Sequence, residues 1–406
     1  MRIGRSAVAA CAAACVSTGV AGAQGRALTL ADVLARAREQ APQVVTARLA
    51  LDEARGRLRG AALLFQTNPE IDASVGSRQS RDGRFTDLEI GVGQAFEPRA
   101  RRSARIAGAN AAIAQGTADI DEIVRVVLRS AAGAYYRALH ASEHLRLLAR
   151  AQELAAGVHA VADRRFKAGD IAILDVEIAR ASLARVAAGQ QAAEAGRALW
   201  IGELRVILQI PDEITVAGAL TGGGDADLQR LRDSAAQRPE LQVLQAAVQE
   251  AEADLQLGRS FSRPEFGVGV RYAREERDQI VLGGLRVTLP VFSAGQELRT
   301  VSAARAARLR KELEAARARV DMEVRIAFEA YSRRLAAVRT LEADAIPSVD
   351  EAETLATRSF EAGQIGLPEL LLLRREILDT RTQYLDALLE AALARIELDA
   401  SAALLR

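Results

Sequence analysis

The chain contains two copies of one long sequence pattern, and this internal repeat constrains its fold more than any other feature. Residues 164–176, RRFKAGDIAILDV, match residues 358–370, RSFEAGQIGLPEL. Further matches lie upstream at a similar spacing: Pro42 with Pro239, Ala54 with Ala251, and Pro69 with Pro264. A period close to half the chain length indicates two large units, whereas a solenoid has much shorter repeats. We therefore predict a first repeat at 24–210, a linker at 211–226 and a second repeat at 227–406.

Each repeat contains one predicted β-hairpin, at 69–96 and at 264–292. In the second, SRPEFGVGVRYARE, apolar residues alternate with glycine and arginine: Phe266, Val268, Val270 and Tyr272. Alternation with a period of two is typical of a β-strand, and it contrasts with the helical composition on both sides. The sequence therefore predicts four strands per chain, with Phe266 and Tyr272 at opposite interfaces if the strand crosses a membrane.

Each hairpin is followed by a long helical segment, about 99–165 in the first repeat and 296–359 in the second. Neither segment is predicted to contain a break. At about 1.5 Å per residue, each helix would reach roughly 100 Å. Apolar residues of the second segment follow the three-four spacing of a coiled coil. The chain then turns, near 166–171 and 360–367, into a return helix. The predicted fold class is mainly α with a small β part.

The four predicted strands have the length and alternation of strands that cross a membrane. Four strands cannot close a barrel, because small barrels need eight, and a bilayer tolerates no open sheet edge. Several chains would therefore contribute hairpins to one shared barrel. The alternative is a four-stranded sheet that caps a helical bundle in water. The protein would then be a soluble periplasmic coiled-coil scaffold without a pore.

Residues 1–23 have the pattern of a secretory signal peptide, with two arginines, an apolar run and the small residues Ala21, Gly22 and Ala23. In an alternative interpretation, Cys11 or Cys15 becomes the lipid-bearing first residue of a lipoprotein. These are the two cysteines of the chain. Cleavage after Ala23 would leave a mature chain without cysteine, which excludes disulfides and thiolate metal sites.

Composition and motifs argue against nucleic-acid binding and against catalysis. The formal net charge is +1, and no basic tract with interleaved aromatics offers a contact surface for a phosphate backbone. The sequence has no phosphate-binding loop, nucleophile elbow or zincin spacing. We therefore predict no enzyme activity and no cofactor.

Two groups of basic residues are candidate binding sites. His140 and His144 are spaced to share a helix face and are the candidates for a metal site. No carboxylate or cysteine is placed in the sequence to complete such a site, so we predict solvated histidines. The arginines at 99–105 are expected where strand meets helix, and they are predicted to face solvent.

The order of these features resembles the TolC family of outer-membrane efflux proteins. The resemblance is carried by NPEIDASVG and RPEFGVGV, which open the hairpins, by VGQAFEPRARR and RVTLPVFSAGQ, which close them, and by the matched turns between long helices. It covers nearly the whole mature chain. Within the family, EPRARR and the compact ending are most similar to the heavy-metal, CzcC-like branch.

The resemblance implies a homotrimer in the outer membrane of a Gram-negative cell. Four strands per chain would form a twelve-stranded barrel, and the long helices would form an α-barrel in the periplasm. Such proteins are passive exit ducts of tripartite efflux systems. The implied partners are a periplasmic membrane fusion adaptor and an inner-membrane pump of the resistance-nodulation-division (RND) class, with heavy-metal cations among the implied substrates.

The resemblance also implies roles for the two turns. In the family the adaptor contacts the duct there, which implies contact by Phe166, Gly169, Ile171, Phe360, Gly363 and Ile365. The glycines also have a structural interpretation, since a helix end often requires a positive φ. Asp175 and Glu369 match positions where family members carry acids that ring the closed pore. Alternatively, each acid interacts with its helix dipole. Leu372 stands where some relatives have a second acid.

Overall fold

The structure is a computed structural model of the chain and describes residues 26–81, 83–275 and 278–405. The predicted signal peptide at 1–23, with Cys11 and Cys15, lies outside these residues. Helices make up most of the described chain, and the strands form a four-stranded and a two-stranded sheet. This confirms the predicted fold class, mainly α with a small β part. Across the described residues, no helix has both the length and the apolarity of a membrane-spanning helix.

The first half of the chain begins with a short strand and ends with two long helices. Its elements are β1 (Arg26–Leu28), α1 (Leu30–Gln40), α2 (Pro42–Ala61), β2 (Glu70–Ser80), β3 (Gly83–Phe96), α3 (Arg99–Lys167) and α4 (Ile173–Leu208). Thr29 and Asp32 form a capping box at the start of α1, in which each side chain accepts a hydrogen bond from the backbone amide of the other residue. Pro42 begins α2, where no amide donor is needed. The break between α1 and α2 is therefore encoded locally.

The second half repeats this order of elements. They are β4 (Ile214–Val216), α5 (Leu228–Ala235), α6 (Pro239–Ser260), β5 (Glu265–Glu275), β6 (Asp278–Thr288), α7 (Gln296–Thr340), α8 (Ile346–Glu361) and α9 (Leu367–Ser401). Pro239 begins α6 as Pro42 begins α2. Strand β6 ends before Leu289 and Val291, two residues that continue the alternation in the sequence.

The prediction of an unbroken second long helix is wrong. A single π-helical turn (Leu341–Ala345) separates α7 from α8, and Pro347 lies in the first turn of α8. In a regular helix, proline lacks the amide donor and its ring collides with the carbonyl four residues earlier. The wider turn, closed by the Ile346 amide and the Leu341 carbonyl, accommodates this disruption. By contrast, α3 is continuous over 69 residues, a length of roughly 100 Å.

A parallel strand pair and two tyrosines hold the middle of the molecule together. Strand β1 pairs with β4. The Tyr135 hydroxyl donates to the Ala217 carbonyl at 2.7 Å, and the Tyr331 hydroxyl donates to the Gly224 carbonyl at 2.6 Å. Both tyrosines are buried in the two main apolar cores. The linker between the two halves is thus fixed to both α3 and α7.

The four-stranded sheet joins the hairpins of the two halves. Its strand order is β2-β3-β5-β6, and every neighbouring pair is antiparallel. Strands β2 and β6 each have one unpaired edge. Within the described residues, no helix packs over either face of this sheet. Its edge strands are therefore exposed on both faces.

Candidate functional site

One face of the four-stranded sheet is apolar across all four strands. Cross-strand partners on this face include Ile71 and Val92, Val92 and Val270, and Val268 and Leu285. All five side chains are exposed. In water, an antiparallel sheet packs its apolar face against other elements, but no described helix covers this one. Within the described residues, this apolar face is therefore left exposed.

The opposite face of the sheet carries charged side chains joined by ion pairs. Arg271 of β5 contacts Glu89 of β3 at 2.6 Å, and Arg78 of β2 contacts Asp87 of β3 at 2.9 Å. Arg78 also reaches Glu275 of β5 at 2.8 Å. Glycines and small polar residues occupy most of the remaining positions, and the large apolar exceptions are Phe85 of β3 and Ile280 and Leu282 of β6. A sheet with one apolar and one charged face has the pattern of a membrane-barrel wall whose polar side faces the lumen.

Aromatic side chains lie at both ends of the apolar face. At the end nearest the helices, Phe96 is the cross-strand partner of Phe266. The Phe65 ring contacts Phe96 edge-on, with 5.7 Å between the ring centroids. Tyr272 lies near the other end of β5. Phe266 and Tyr272 thus lie towards opposite ends of the apolar face, and their placement at the two membrane interfaces stays a prediction.

The prediction that the arginines at 99–105 face solvent is wrong for Arg101 and Arg105. Arg101 of α3 is buried and contacts Glu265, the first residue of β5. Arg105 binds Glu97, just beyond β3, through two hydrogen bonds, one of them 2.6 Å long. We call these two residues the arginine collar. They connect the base of the sheet to the longest helix.

The two turns between long helices have the same backbone structure. Gly169 and Gly363 adopt left-handed conformations, with φ of 84° and 72°. Their amides donate to the carbonyls of Phe166 and Phe360 at 2.9 and 3.1 Å. The next amide in each turn closes a longer-range bond, at 2.9 and 2.8 Å. This is the Schellman motif, so both glycines have a structural role in the turn.

The two turns pack against each other around one apolar core. Ile171, Phe360 and Ile365 are partly buried in this core. The Arg165 guanidinium lies over the Phe360 ring, 5.1 Å from its centroid. Of the apolar residues predicted to contact an adaptor, Phe166 is exposed, at 40%. The other three are partly buried between the turns, so Phe166 is the most exposed of the four.

Asp175 and Glu369 lie in the first turns of α4 and α9. Glu369 is exposed and Asp175 is half-buried. Neither carboxylate forms an ion pair with an arginine or lysine of the described residues. A first-turn acid interacts favourably with the helix dipole, so a single chain accounts for both positions without a pore. Their role in a ring of acids stays a prediction.

Four exposed apolar residues lie beyond the two turns, and only Leu372 among them is noted in the sequence analysis, as a departure from the acid pattern. They are Ile173, Leu174, Leu372 and Leu373. Part of the signal was visible, since 370–373 is a run of four leucines. Successive helical residues point about 100° apart, so a helix that buries part of this run exposes the rest. The result is apolar surface beside the predicted acids.

His140 and His144 do share a helix face, and their rings stack with centroids 5.9 Å apart. The prediction that they are solvated is wrong, because both are half-buried. His140 Nε2 lies 2.9 Å from Asp386 Oδ1. Burial, followed by the charge of His140, lowers the pKa of His144. The described residues contain no cluster of three or more His, Cys, Asp or Glu side chains able to hold a metal. The contact instead joins α3 to α9.

The architecture is a helical rod roughly 100 Å long that ends in an open sheet with one apolar and one charged face. None of the protein-family models matches the chain. Among curated proteins, it is 24% identical over 357 residues to the cobalt-zinc-cadmium resistance protein CzcC of Cupriavidus metallidurans, covering 83% of this chain and 81% of that protein.

Two solved structures share the fold over nearly the whole chain. CusC matches with a TM-score of 0.77 and 15% identity, over 95% of each chain. The CmeC outer membrane channel of Campylobacter jejuni matches with a TM-score of 0.73 and 14% identity, over 92% of this chain and 85% of that one. The chain thus has the fold of the TolC family of outer-membrane efflux proteins, which confirms the resemblance predicted from the sequence. The match to CzcC agrees with the CzcC-like branch.

Proposed function

We propose that this chain is the subunit of a trimeric exit duct that conducts substrates passively across the outer membrane. The observation that carries the proposal is the four-stranded sheet, whose faces differ in character. Within the part of the chain that the structure describes, no helix lies over either face and two edges are unpaired. Inside a bilayer, unpaired backbone groups are strongly unfavourable. Further copies can satisfy both edges. Two copies would give eight strands, which side chains fill, whereas three give twelve and leave room for water.

The rods place the two turns far from the membrane. Helix α3 begins beside the sheet at Arg99 and ends beside Gly169, so the turn lies roughly 100 Å away. That length suits a duct that crosses the periplasm. A membrane fusion adaptor would bind at this end, on Phe166 and the neighbouring exposed apolar residues. The adaptor would connect the duct to an inner-membrane pump of the RND class, where energy enters the tripartite system.

The proposed substrates are heavy-metal cations. The support is the match to a cobalt-zinc-cadmium resistance protein over 83% of the chain. The charged lumen face of the sheet is compatible with the passage of hydrated ions. A test of this assignment deletes the gene and measures tolerance to zinc, cobalt and cadmium. Tolerance is expected to fall and to recover with the intact gene, whereas unchanged tolerance to all three would reject the assignment.

Fractionation and conductance test the duct itself. The protein is expected in the outer-membrane fraction, to require detergent for extraction and to have the mass of a trimer. Purified trimers are expected to give stepwise conductance in planar bilayers. The alternative, a soluble periplasmic scaffold, would be released by osmotic shock and would give no conductance in planar bilayers. If the trimer conducts but deletion of the gene leaves metal tolerance unchanged, the duct is supported and only the heavy-metal substrates are rejected.

A further inference from the structure

One side-chain contact joins the two edge strands across the polar face of the sheet. Arg286 Nη1 of β6 lies 3.6 Å from Glu70 Oε2 of β2. Strands β3 and β5 lie between them, so in a flat sheet the two edge strands would be roughly 14 Å apart. The contact therefore requires the sheet to curl, with its polar face concave.

A row of glycines makes this curvature possible. Gly93, Gly269 and Gly284 are cross-strand partners in one row, and Glu70 is the next member of that row. A Cβ at Gly269 would lie 3.1 Å from a carbonyl oxygen of β3, closer than most side chains tolerate. Because these residues add no side chains to the concave face, Arg286 can extend across it to Glu70.

The ion pair between Arg286 and Glu70 contributes less free energy than the pairing of the backbone groups at the two strand edges. Both side chains are exposed, at 69% and 76%, and exposed ion pairs contribute little to stability. The free edges of β2 and β6 each present a row of backbone groups without partners in the sheet. In lipid these groups must be paired. Pairing of the edges between copies therefore determines which carboxylate Arg286 meets.

The strand directions allow one copy to continue the sheet of the next. Strands β2 and β6 run antiparallel to each other, because three antiparallel pairings separate them. Strand β6 of one copy can therefore pair with β2 of the next as an ordinary antiparallel neighbour. Glu70 begins β2 and Arg286 lies near the end of β6, so both are at the sheet end nearest the helices. Both also point to the polar face.

We propose that Arg286 changes partners on assembly, from its own Glu70 in the isolated chain to the partner subunit's Glu70 in the closed barrel. Across the seam the two strands would be about 4.8 Å apart. A twelve-stranded wall curves less than the isolated sheet, since diameter grows with strand number, so the chain's own Glu70 moves out of reach. We call the contact between copies the seam pair. It rests on the trimeric duct proposed above.

Paired cysteines test the seam pair in the full chain. Cys11 and Cys15 are first replaced by alanine, so that E70C and R286C supply the sole thiols. Outer membranes are treated with a short bismaleimide and analysed on denaturing gels. The seam pair predicts covalent dimers and trimers. The matched control is E89C with R271C, an ion pair of 2.6 Å on the same face between two inner strands, which is expected to yield crosslinks within one chain.

Three outcomes would overturn the seam pair. The first is a link between the two cysteines within one chain, identified by mass spectrometry of the joined peptides. The second is no link at all while the control pair reacts. The third is a monomeric unmodified protein by light scattering in detergent, and this result would reject the trimeric duct as well. A trimeric protein with a link inside each chain would reject the seam pair alone.

Charge reversal provides a second test that does not depend on thiol chemistry. E70R and R286E are each expected to lower the fraction of trimer that survives mild heating, by roughly two- to fivefold. The double variant is expected to restore it. Coexpression of E70R chains with R286E chains should also recover trimers, because each mixed seam again pairs opposite charges. Absence of recovery in the mixture would contradict a contact between copies.

Discussion

Arg105 binds Glu97 through two hydrogen bonds at the point where strand β3 gives way to helix α3. Their side chains are 18% and 10% exposed. Removing one partner of such a pair leaves an uncompensated charge in a poorly hydrated place. The stability of the junction between sheet and rod therefore depends on both members of the pair.

Replacement of Arg105 by alanine is expected to lower the free energy of unfolding by about 3–5 kcal/mol, because Glu97 loses its partner. Arg105→Lys should recover part of this loss, since lysine keeps the charge without the two-point geometry. Denaturant unfolding followed by circular dichroism measures both. Arg55→Ala is the control, because its pair with Asp52 is exposed on both sides and such pairs contribute about 0–1 kcal/mol. Equal losses in the two alanine variants would contradict the role of the collar.

Gly363→Ala is expected to destabilise the second turn by about 1–2 kcal/mol, because alanine disfavours the left-handed conformation. A Cβ at this position has open space within 4 Å, so the effect comes from the backbone alone. Gly157→Ala, in the interior of α3 and equally open, should instead stabilise the protein by about 0.5–1 kcal/mol. Thermal unfolding of the two variants compares them directly. A shift in melting temperature of the same sign in both variants would show that the turn does not require glycine at position 363.

The two faces of the sheet should respond differently to a new charge. Val270→Arg places a charge in the middle of the apolar face, and arginine facing lipid at the midplane is unfavourable by about 2–4 kcal/mol. Ser74→Arg places the same charge on the polar face and is expected to have little effect. The measurement is the yield of trimer in the outer membrane. Equal yields for the two variants would contradict the assignment of the lipid face.

Cation selectivity should decrease when the first-turn acids are removed. Glu369→Ala removes one negative charge per chain near the tip, and three from a trimer. Asp175→Ala tests the matching position in the first half. Reversal potentials across a salt gradient in planar bilayers report the selectivity. Glu314→Ala serves as the control, since Glu314 is exposed and paired with Lys311 along α7. Unchanged reversal potentials in both tip variants would show that these acids do not line the pore.

Stability is expected to fall below about pH 6.5, the ordinary pKa of histidine, through His144. Burial and the charge of His140 lower the pKa of His144, against a smaller opposing effect of Asp386. The unfolded chain therefore binds this proton more tightly than the folded chain, so acidification favours unfolding. His144→Gln should flatten the decline in melting temperature between about pH 6.5 and 5. His159→Gln is the control, and an identical slope in the His144 variant and the unmodified protein would contradict the mechanism.

Local chemistry made the turns and helix starts predictable from the sequence. Pro42 and Pro239 begin helices because a first turn needs no amide donor. Gly169 and Gly363 end helices because a Schellman motif needs a left-handed residue. The hairpins were also predictable, since the period-two alternation of apolar residues can be recognised between helical segments. Each of these signals involves residues that are close together in the sequence.

Contacts between distant segments were not predictable in the same way. Arg101 looked like one of several solvated arginines until the fold brought Glu265 against it. Likewise, Asp386 lies far from His140 in the sequence and meets it only because α9 packs along α3. The π-helical turn was missed for another reason. A π turn keeps the chain helical, so apolar spacing continues on both sides although Pro347 was visible.

The π-helical turn at Leu341–Ala345 makes the two halves of the chain mechanically unequal. One extra residue in a turn rotates the side chains of the following residues by about 100° about the helix axis. Helix α8 therefore packs against α9 with a different face from the one that an uninterrupted α7 would present. Helix α3 has no such interruption. In a ring of three chains, rigid and interrupted rods would therefore alternate. Dilation of such a ring would preserve threefold symmetry but not the sixfold symmetry that two identical halves would allow.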